Sequence, residues 1–272
     1  MRAARFIRGG AEFLHLPAVA FTVLTAVAFV RVLGERDGER LVTFIVAVLL
    51  TQLSIAVHNN WCDRGADAVS KPWRWIPRGV IAPNSAVAAA VLLFASGITA
   101  GFALGPAVGG LVLLGTTAGL AYNAWLKKTP WSWVPFCVAL PTLAICSLAL
   151  TRGSAPLPLG LYAVGAPLVV AIHLADAVPD IAADRAAGVR GLAVTLGRRR
   201  ALAACWALLA FGLGLAVLTW PPPSSPGSGA LASAVLLVLG VAVSGRSLRA
   251  HWYLIFTSAV ALAVDWVSGL RA

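Results

Sequence analysis

Nine stretches of apolar residues, most of them close to membrane-spanning length, follow one another along this sequence. They run from Phe13 to Leu33, Leu41 to Trp61, Ser85 to Leu104, Ala107 to Leu126, Trp131 to Ala149, Leu157 to Ala175, Ala201 to Trp220, Ala230 to Val243 and Trp252 to Leu270. About 20 such residues in a helix cross the hydrocarbon core of a bilayer. In lipid a spanning segment has to satisfy its own backbone hydrogen bonds, and a helix does so. The pattern predicts an all-α integral membrane protein, nine transmembrane helices in one bundle. Hydrophobic residues make up 60% of the 272 and charged residues only 11%, which leaves no material for a separate soluble domain, so residues 1–272 read as one transmembrane unit. The eighth stretch is short and contains glycine, and the proline-rich segment Thr219 to Gly229 forms the turn before it.

Charge orients this bundle. The formal net charge is +11. A nucleic-acid-binding domain gathers basic residues on a mostly polar surface; a chain this apolar has no such surface, and nucleic acid is excluded as a partner. Lys and Arg instead set topology, the richer side facing the cytoplasm. Counted on alternate sides of nine spans, 16 of the 21 fall on one side: Arg2, Arg5, Arg8, Arg64, Lys71, Arg74, Arg78, Lys127, Lys128, Arg185, Arg190, Arg198, Arg199, Arg200, Arg246 and Arg249. The expectation is a multi-pass protein of the cell membrane with its N-terminus and these loops in the cytoplasm and its C-terminus outside. The basic opening MRAARFIRGG resembles a secretion signal, but no small-residue cleavage site precedes a full-length span, so it reads as a retained first helix. Cys62, Cys137, Cys146 and Cys205 have neither disulfide nor zinc spacing and read as small buried hydrophobes.

The ten acidic residues are few enough to follow individually, and five of them form two clusters. Asn59, Asp63 and Asp67 recur every fourth residue at the end of the second span; Asp176, Asp180 and Asp184 do so at the end of the sixth. Asp63 and Asp180 are 117 residues apart, as are Asp67 and Asp184, so the clusters take equivalent places in two four-helix halves, the mark of an internal duplication. Helical residues four apart share a face about one turn apart, so each cluster is predicted to be a row of oxygen atoms at the membrane boundary, both rows facing one central cavity. Carboxylate and amide oxygens suit Mg²⁺, which keeps waters and joins one or two carboxylates to phosphate oxygens. A diphosphate is the ligand this predicts. Lys71, Arg74, Arg78, Lys127, Lys128, Arg185 and Arg190 lie nearby and can hold phosphate oxygens through charge-assisted hydrogen bonds. Carboxylates at the membrane edge are costly, and two matched triplets in a chain otherwise poor in acids argue against an incidental origin.

Other residues leave two readings open. Arg198 to Arg200 read as a topological anchor. His58 and His173 adjoin the clusters and fit a substrate contact or a packing role equally. Asp265, inside the ninth span, fits a polar partner between helices or the lining of a cavity. Trp61, Trp73, Trp75 and Trp125 fit an interfacial belt or a cation–π contact with a carbocation.

Three segments together carry a resemblance: HNNWCDRGADAVSKPWRWIPRG from His58 to Gly79, YNAWLKK from Tyr122 to Lys128, and DAVPDIAADRAAGVRG from Asp176 to Gly191. With nine spans around them, they resemble the UbiA superfamily of intramembrane prenyltransferases over nearly the whole chain. The resemblance implies a helical bundle with a central cavity capped by cytoplasmic loops, Mg²⁺-dependent binding of an isoprenyl diphosphate, and prenyl transfer to an acceptor. It implies metal binding and catalysis at Asp63, Asp67, Asp180 and Asp184 with Asn59 as a further metal ligand, and diphosphate contacts from Lys71, Arg74, Tyr122 and Lys127, beside Asp176. The chain departs from the pattern at Asn60, where many members have Asp, at His15, Leu16 and Pro17, where Arg-Pro is frequent, and at Ala182 and Ala183, where an acid often stands.

The expected activity is therefore that of a Mg²⁺-dependent membrane prenyltransferase using an aromatic or lipophilic acceptor. The same ionisation without an acceptor describes a membrane terpene cyclase. A transporter is a third reading, but its ionisable residues belong at the midplane rather than crowded on one face.

Overall fold

The computed structural model describes residues 9–153, 158, 160–221, 224–243 and 247–271. Among these every regular element is helical. The order is α1 (Leu16–Val32), α2 (Gly38–Ser70), α3 (Pro83–Ala103), α4 (Pro106–Ala124), α5 (Val134–Arg152), α6 (Gly160–Ala177), the short α7 (Ile181–Ala186) and α8 (Leu192–Leu196), then α9 (Arg198–Leu218), α10 (Ser228–Val243) and α11 (Leu248–Gly269). Each apolar stretch of the sequence coincides with one long helix. Seven are long and apolar enough to cross a membrane, α6 counting with its continuation through α7, whereas α1 and α10 are shorter apolar helices of 17 and 16 residues. Arg2, Arg5, Arg8 and Arg246, used above to orient the chain, lie outside the described residues.

Helix ends follow from local chemistry. The Asp37 carboxylate accepts from the Glu39 and Arg40 amides at 2.9 and 3.2 Å and so caps α2. Pro83 and Pro106 open α3 and α4, where a missing N–H leaves nothing unpaired. Asp265 resolves its two readings in favour of structure. Its Oδ2 accepts from the Gly227 and Ala230 amides, both at 2.9 Å, so a carboxylate on α11 caps α10 from outside. Glycine is required opposite it, because a β-carbon on Gly229 would lie 2.5 Å from the Ala261 carbonyl oxygen.

Consecutive helices pack pairwise, α2 on α3, α4 on α5, α6 on α9 and α10 on α11. The N-terminal α1 touches α2, α5 and α11 and so joins the two groups. One apolar core gathers Phe29, Leu148, Leu168, Leu209, Ile255 and Leu262; another gathers Phe44, Val48, Val112, Cys146 and Leu150. All four cysteines are free.

The helices that carry the acidic clusters end differently. At 33 residues α2 is about 50 Å long against a hydrocarbon core of about 30 Å. Its last turns, with Asn59, Asp63 and Asp67, therefore project beyond the apolar span as one continuous helical row. The second cluster is not the straight row that its spacing predicts. The α-helix stops at Ala177, a 3-10 turn covers Val178–Asp180, and α7 restarts at Ile181. Pro179 is the cause, since it lacks an N–H and its ring collides with the carbonyl four residues back. Asp176 thus belongs to α6, Asp180 to the 3-10 turn and Asp184 to α7.

Candidate active site

The site is built where α2, α4 and α6 end together. Lys127 lies in a 3-10 turn, Leu126–Lys128, directly after α4. Its ammonium donates to Asn59 Oδ1 at 3.0 Å and to Asp63 Oδ1. The turn is held from the other half of the molecule: the Arg190 amide donates to the Lys128 carbonyl at 3.1 Å, and Ser132 Oγ accepts from the Leu192 amide at 3.1 Å. One turn beyond Asp63, the buried Asp67 pairs with Arg74 at 2.6 Å, Nη1 to Oδ2.

Residues ahead of α1 close this side. The helix begins at Leu16, three residues inside the apolar run that starts at Phe13, and residues 9–13 form a separate helical turn. Asn60, one of the departures from the family pattern, explains itself here. Its amide Nδ2 donates to the Phe13 and Ala56 carbonyls, both at 2.8 Å, which a carboxylate could not do. Trp75 stacks on Phe13 and the Trp73 indole donates to Glu12. His15 follows in the turn before α1, its Nε2 3.4 Å from Asn59 Nδ2. Burial above all, then the Arg74 cation, pushes the His15 imidazole down to about 4 against the opposing effect of Asp63. With Asn59 Oδ1 taken by Lys127, the donor end of the amide faces Nε2, which accepts. The sequence singled out His15 as a departure from Arg-Pro and not as a site residue.

The second cluster faces the first. Tyr122 lies in the combined field of Asp63, Asp176, Asp180 and Asp184, and Asp184 in that of Asp180, Lys71, Asp63 and Lys127. Tyr122 at the end of α4 also meets the His173 ring edge-on at 6.1 Å, three residues before Asp176, so the ends of α4 and α6 bring the two clusters to one lumen. Asp176 is set deep among the helices yet keeps open surface, as a residue bordering an internal lumen does, with the Trp252 indole alongside it but outside strict hydrogen-bond geometry. Among the described residues, Asp180 and Asp184 have no salt-bridge partner.

The structure thus brings together Asn59, Asp63, Asp67, Lys71, Arg74, Tyr122, Lys127, Asp176, Asp180 and Asp184. It leaves four of the predicted basic residues out. Arg78, Lys128, Arg185 and Arg190 are exposed, and Arg185 donates to the Val194 carbonyl. His173 takes the packing role: it is buried against Phe136 and Tyr122 and hydrogen-bonded to Ser132 at 3.0 Å. His58 lines a different groove, between α2 and α4, with Cys62, Arg64 and Lys128. The four tryptophans are likewise occupied elsewhere, Trp61 under Arg64 at 4.7 Å, Trp73 on Glu12, Trp75 on Phe13, and Trp125 72% exposed.

Beneath the two clusters lies an apolar cavity of about 100 Å³ between α1, α5, α6, α9 and α11. Ile172, which lines it, sits one turn before Asp176 on the same face of α6, and the lining continues to Leu161, about 16 Å along that helix. Its aromatic residues are Phe29, Phe256 and Trp266, none of which the sequence marked. They are apolar residues in apolar runs and carry no local signal.

Whether these residues suit a hard divalent cation is decided by the donor set. Asn59, Asp63, Asp67, Asp180 and Asp184 offer oxygen atoms only, the preference of Mg²⁺. A cation already stands between two of them, since the Lys127 ammonium is shared by the Asn59 and Asp63 oxygens. Among the described residues no three His, Cys, Asp or Glu side chains stand close enough together to enclose a metal ion. A divalent cation held by these oxygens would complete its shell with water or phosphate oxygens rather than sit in a closed protein cage.

Comparison with known proteins agrees with this arrangement. The profile of the UbiA prenyltransferase family matches residues 19–268. The digeranylgeranylglyceryl phosphate synthase of Ignicoccus hospitalis is 30% identical over 228 residues, 81% of this chain and 75% of that protein. The bacteriochlorophyll synthase 33 kDa chain of Cereibacter sphaeroides is 32% identical over 213 residues, 72% of this chain and 68% of that one. Among solved structures, a UbiA homologue from Archaeoglobus fulgidus bound to GPP and Mg²⁺ superposes with a TM-score of 0.72 at 18% identity, covering 95% of this chain and 98% of that one, which places the fold.

Proposed function

Because this chain belongs to the UbiA prenyltransferase family, we propose that it is a membrane-embedded prenyltransferase that ionises an isoprenyl diphosphate in the lumen between its two acidic clusters and transfers the prenyl group to a lipophilic acceptor. The observation that carries the reading is the juxtaposition of acids and bases around one lumen directly above an apolar cavity. Nine spans, built as two related halves forming one domain over residues 1–272, are part of the proposal. The pairwise packing of α2 with α3, α4 with α5, α6 with α9 and α10 with α11 supports it. So is the orientation, with the lumen on the cytoplasmic face of the cell membrane.

In this reading Asp63, Asp67, Asp180 and Asp184, with Asn59, hold magnesium. When bound, the metal supplies Lewis-acid stabilisation of charge on the leaving diphosphate. Lys71, Arg74 and Lys127 add charge-assisted hydrogen bonds to the same oxygens. Tyr122, wedged against Phe136 and His173, presents its hydroxyl to the lumen among the four acids and orients the substrate head. The C1–O bond breaks, the electron pair leaves with the diphosphate, and C1 then bonds to the acceptor, which loses a proton. Phe29, Phe256 and Trp266 with the aliphatic lining take the prenyl chain and keep water from the cation.

Asp63→Ala or Asp180→Ala should abolish Mg²⁺-dependent diphosphate release by the purified enzyme; near-normal turnover of either variant refutes the site. A panel of prenyl diphosphates, with and without a membrane extract as acceptor source, tests the reaction. Turnover only with extract supports transfer, and a cyclic hydrocarbon formed from substrate alone replaces it by cyclisation.

A further inference from the structure

We propose that His15 is a positioning residue that fixes the Asn59 amide, so that its oxygen rather than its nitrogen faces the cation position of the lumen. The inference rests on the metal-site reading above. Its starting point is backbone geometry. Among the described residues His15 is the non-glycine with positive φ, at φ 47° and ψ 42°. The residue stands at a joint between helices, its amide donating to the Glu12 carbonyl at 3.3 Å and its own carbonyl accepting from Val19 at 3.1 Å. Glycine is the usual occupant of such a joint, because an L side chain crowds the following carbonyl in the left-handed region. Strained residues persist where their surroundings over-determine them, and they gather at functional sites. The surroundings here do over-determine it: Asn60 clamps the Phe13 carbonyl at 2.8 Å and Trp75 stacks on the Phe13 ring, two residues upstream.

The strain delivers the ring to Asn59. An amide has a donor end and an acceptor end, and the two can be exchanged by a half-turn. Here the acceptor end meets the Lys127 ammonium at 3.0 Å and the donor end meets His15 Nε2 at 3.4 Å. With an accepting ring nitrogen on one side, the half-turn would aim the amide oxygen at that nitrogen's lone pair and the NH₂ at the cation, so it is disfavoured twice. Without the ring, only the cation holds the orientation. Groups that orient a metal ligand in this way change metal affinity typically by about 10–100-fold when removed.

His15→Gly separates this role from a structural one, because it relieves the backbone while deleting the ring. The purified full-length protein in nanodiscs is titrated calorimetrically with manganese pyrophosphate, and the Tm of the ligand-free protein is measured alongside. The expected result is a loss of about tenfold or more in affinity with no fall in Tm. His15→Gln, whose Oε1 can occupy the place of Nε2, should recover most of the affinity, and in an Asn59→Ala background His15→Gly should cause no further loss. Wild-type affinity in His15→Gly, a joint fall of affinity and Tm that glutamine does not restore, or additive losses in the double variant each overturn the proposal. The two levels fail differently. If Asn59→Ala binds as wild type, the metal site is misassigned and this inference falls with it; if Asn59→Ala is weakened and His15→Gly is not, only the role of His15 is refuted.

Discussion

Replacing Arg74 by methionine keeps much of the side-chain length and deletes the cation that stands 2.6 Å from Asp67 Oδ2, in a pair whose side chains are only 10% and 7% exposed. At that separation and an effective dielectric of about 20, the attraction is about 6 kcal/mol. Desolvation of both ions offsets most of it, so the pair itself contributes little net stability. Breaking it is another matter. A buried carboxylate left without its partner costs about 3–5 kcal/mol, and Lys71, which acts on Asp67 only through space, does not take the place of Arg74. Adding Asp67→Asn to Arg74→Met removes the stranded charge. The double variant should therefore be more stable than Arg74→Met alone, with a coupling on the order of 2 kcal/mol. Reversible denaturant unfolding in mixed micelles and metal-free buffer measures all four corners of the cycle. A double variant whose loss equals the sum of the single losses refutes the reasoning, because the two groups would then be separately solvated.

Three further outcomes follow from particular contacts. Asp265→Ala removes the acceptor for the Gly227 and Ala230 amides and should lower stability by about 1–3 kcal/mol, whereas Asp265→Asn, which keeps an oxygen there, should cost less; thermal unfolding distinguishes them. Asn60→Asp loses both donated hydrogen bonds to the Phe13 and Ala56 carbonyls, so residues 9–15 should exchange amide hydrogens faster and be cut sooner by protease. Ala144→Phe fills part of the apolar cavity and should shorten the longest prenyl diphosphate that is turned over while sparing the shortest, read as relative kcat/KM across a chain-length series.

The helices were legible because their cause is local. A run of about 20 apolar residues reports its own burial, and each such stretch is a helix here. The acids were legible for a related reason, since a carboxylate at the membrane edge has few uses and five of them at matched spacing have fewer. What escaped the sequence depends on contacts across it. Pro179 stands in plain view inside the second cluster, yet the duplication argument overrode it and predicted a straight row where the chain makes a 3-10 turn. Asp265 looked like a residue with two possible functions until α10 was seen to begin against it. His15 showed only as a departure from Arg-Pro, because the left-handed backbone that presents it to Asn59 is a property of the joint between two helices and not of the residue. Of the two readings open for the tryptophans the cavity gains no support, because side-chain direction on α2 and in the following loop sends Trp61, Trp73 and Trp75 to other partners.

The two clusters also differ in how their charge is met, and that difference bears on how a substrate enters. Asp63 is paired with Lys127 and Asp67 with Arg74. Among the described residues no such pair forms on Asp180 or Asp184, and Asp176 has only an indole beside it. Around the lumen the acids Asp63, Asp67, Asp176, Asp180 and Asp184 outnumber the bases Lys71, Arg74 and Lys127. With those carboxylates ionised, a bare diphosphate would meet a field of its own sign there, and low-dielectric walls would make that repulsion stronger than it is in water. On the proposed reading divalent cations would reverse that sign, and the carboxylates without an ion-pair partner that would hold them, among the described residues, are those of the second cluster. On the proposed reading metal and diphosphate would each bind poorly alone and well together, and Lys127 and Arg74, which stand on the carboxylates of the first cluster, are the two cations that would hold phosphate oxygens there.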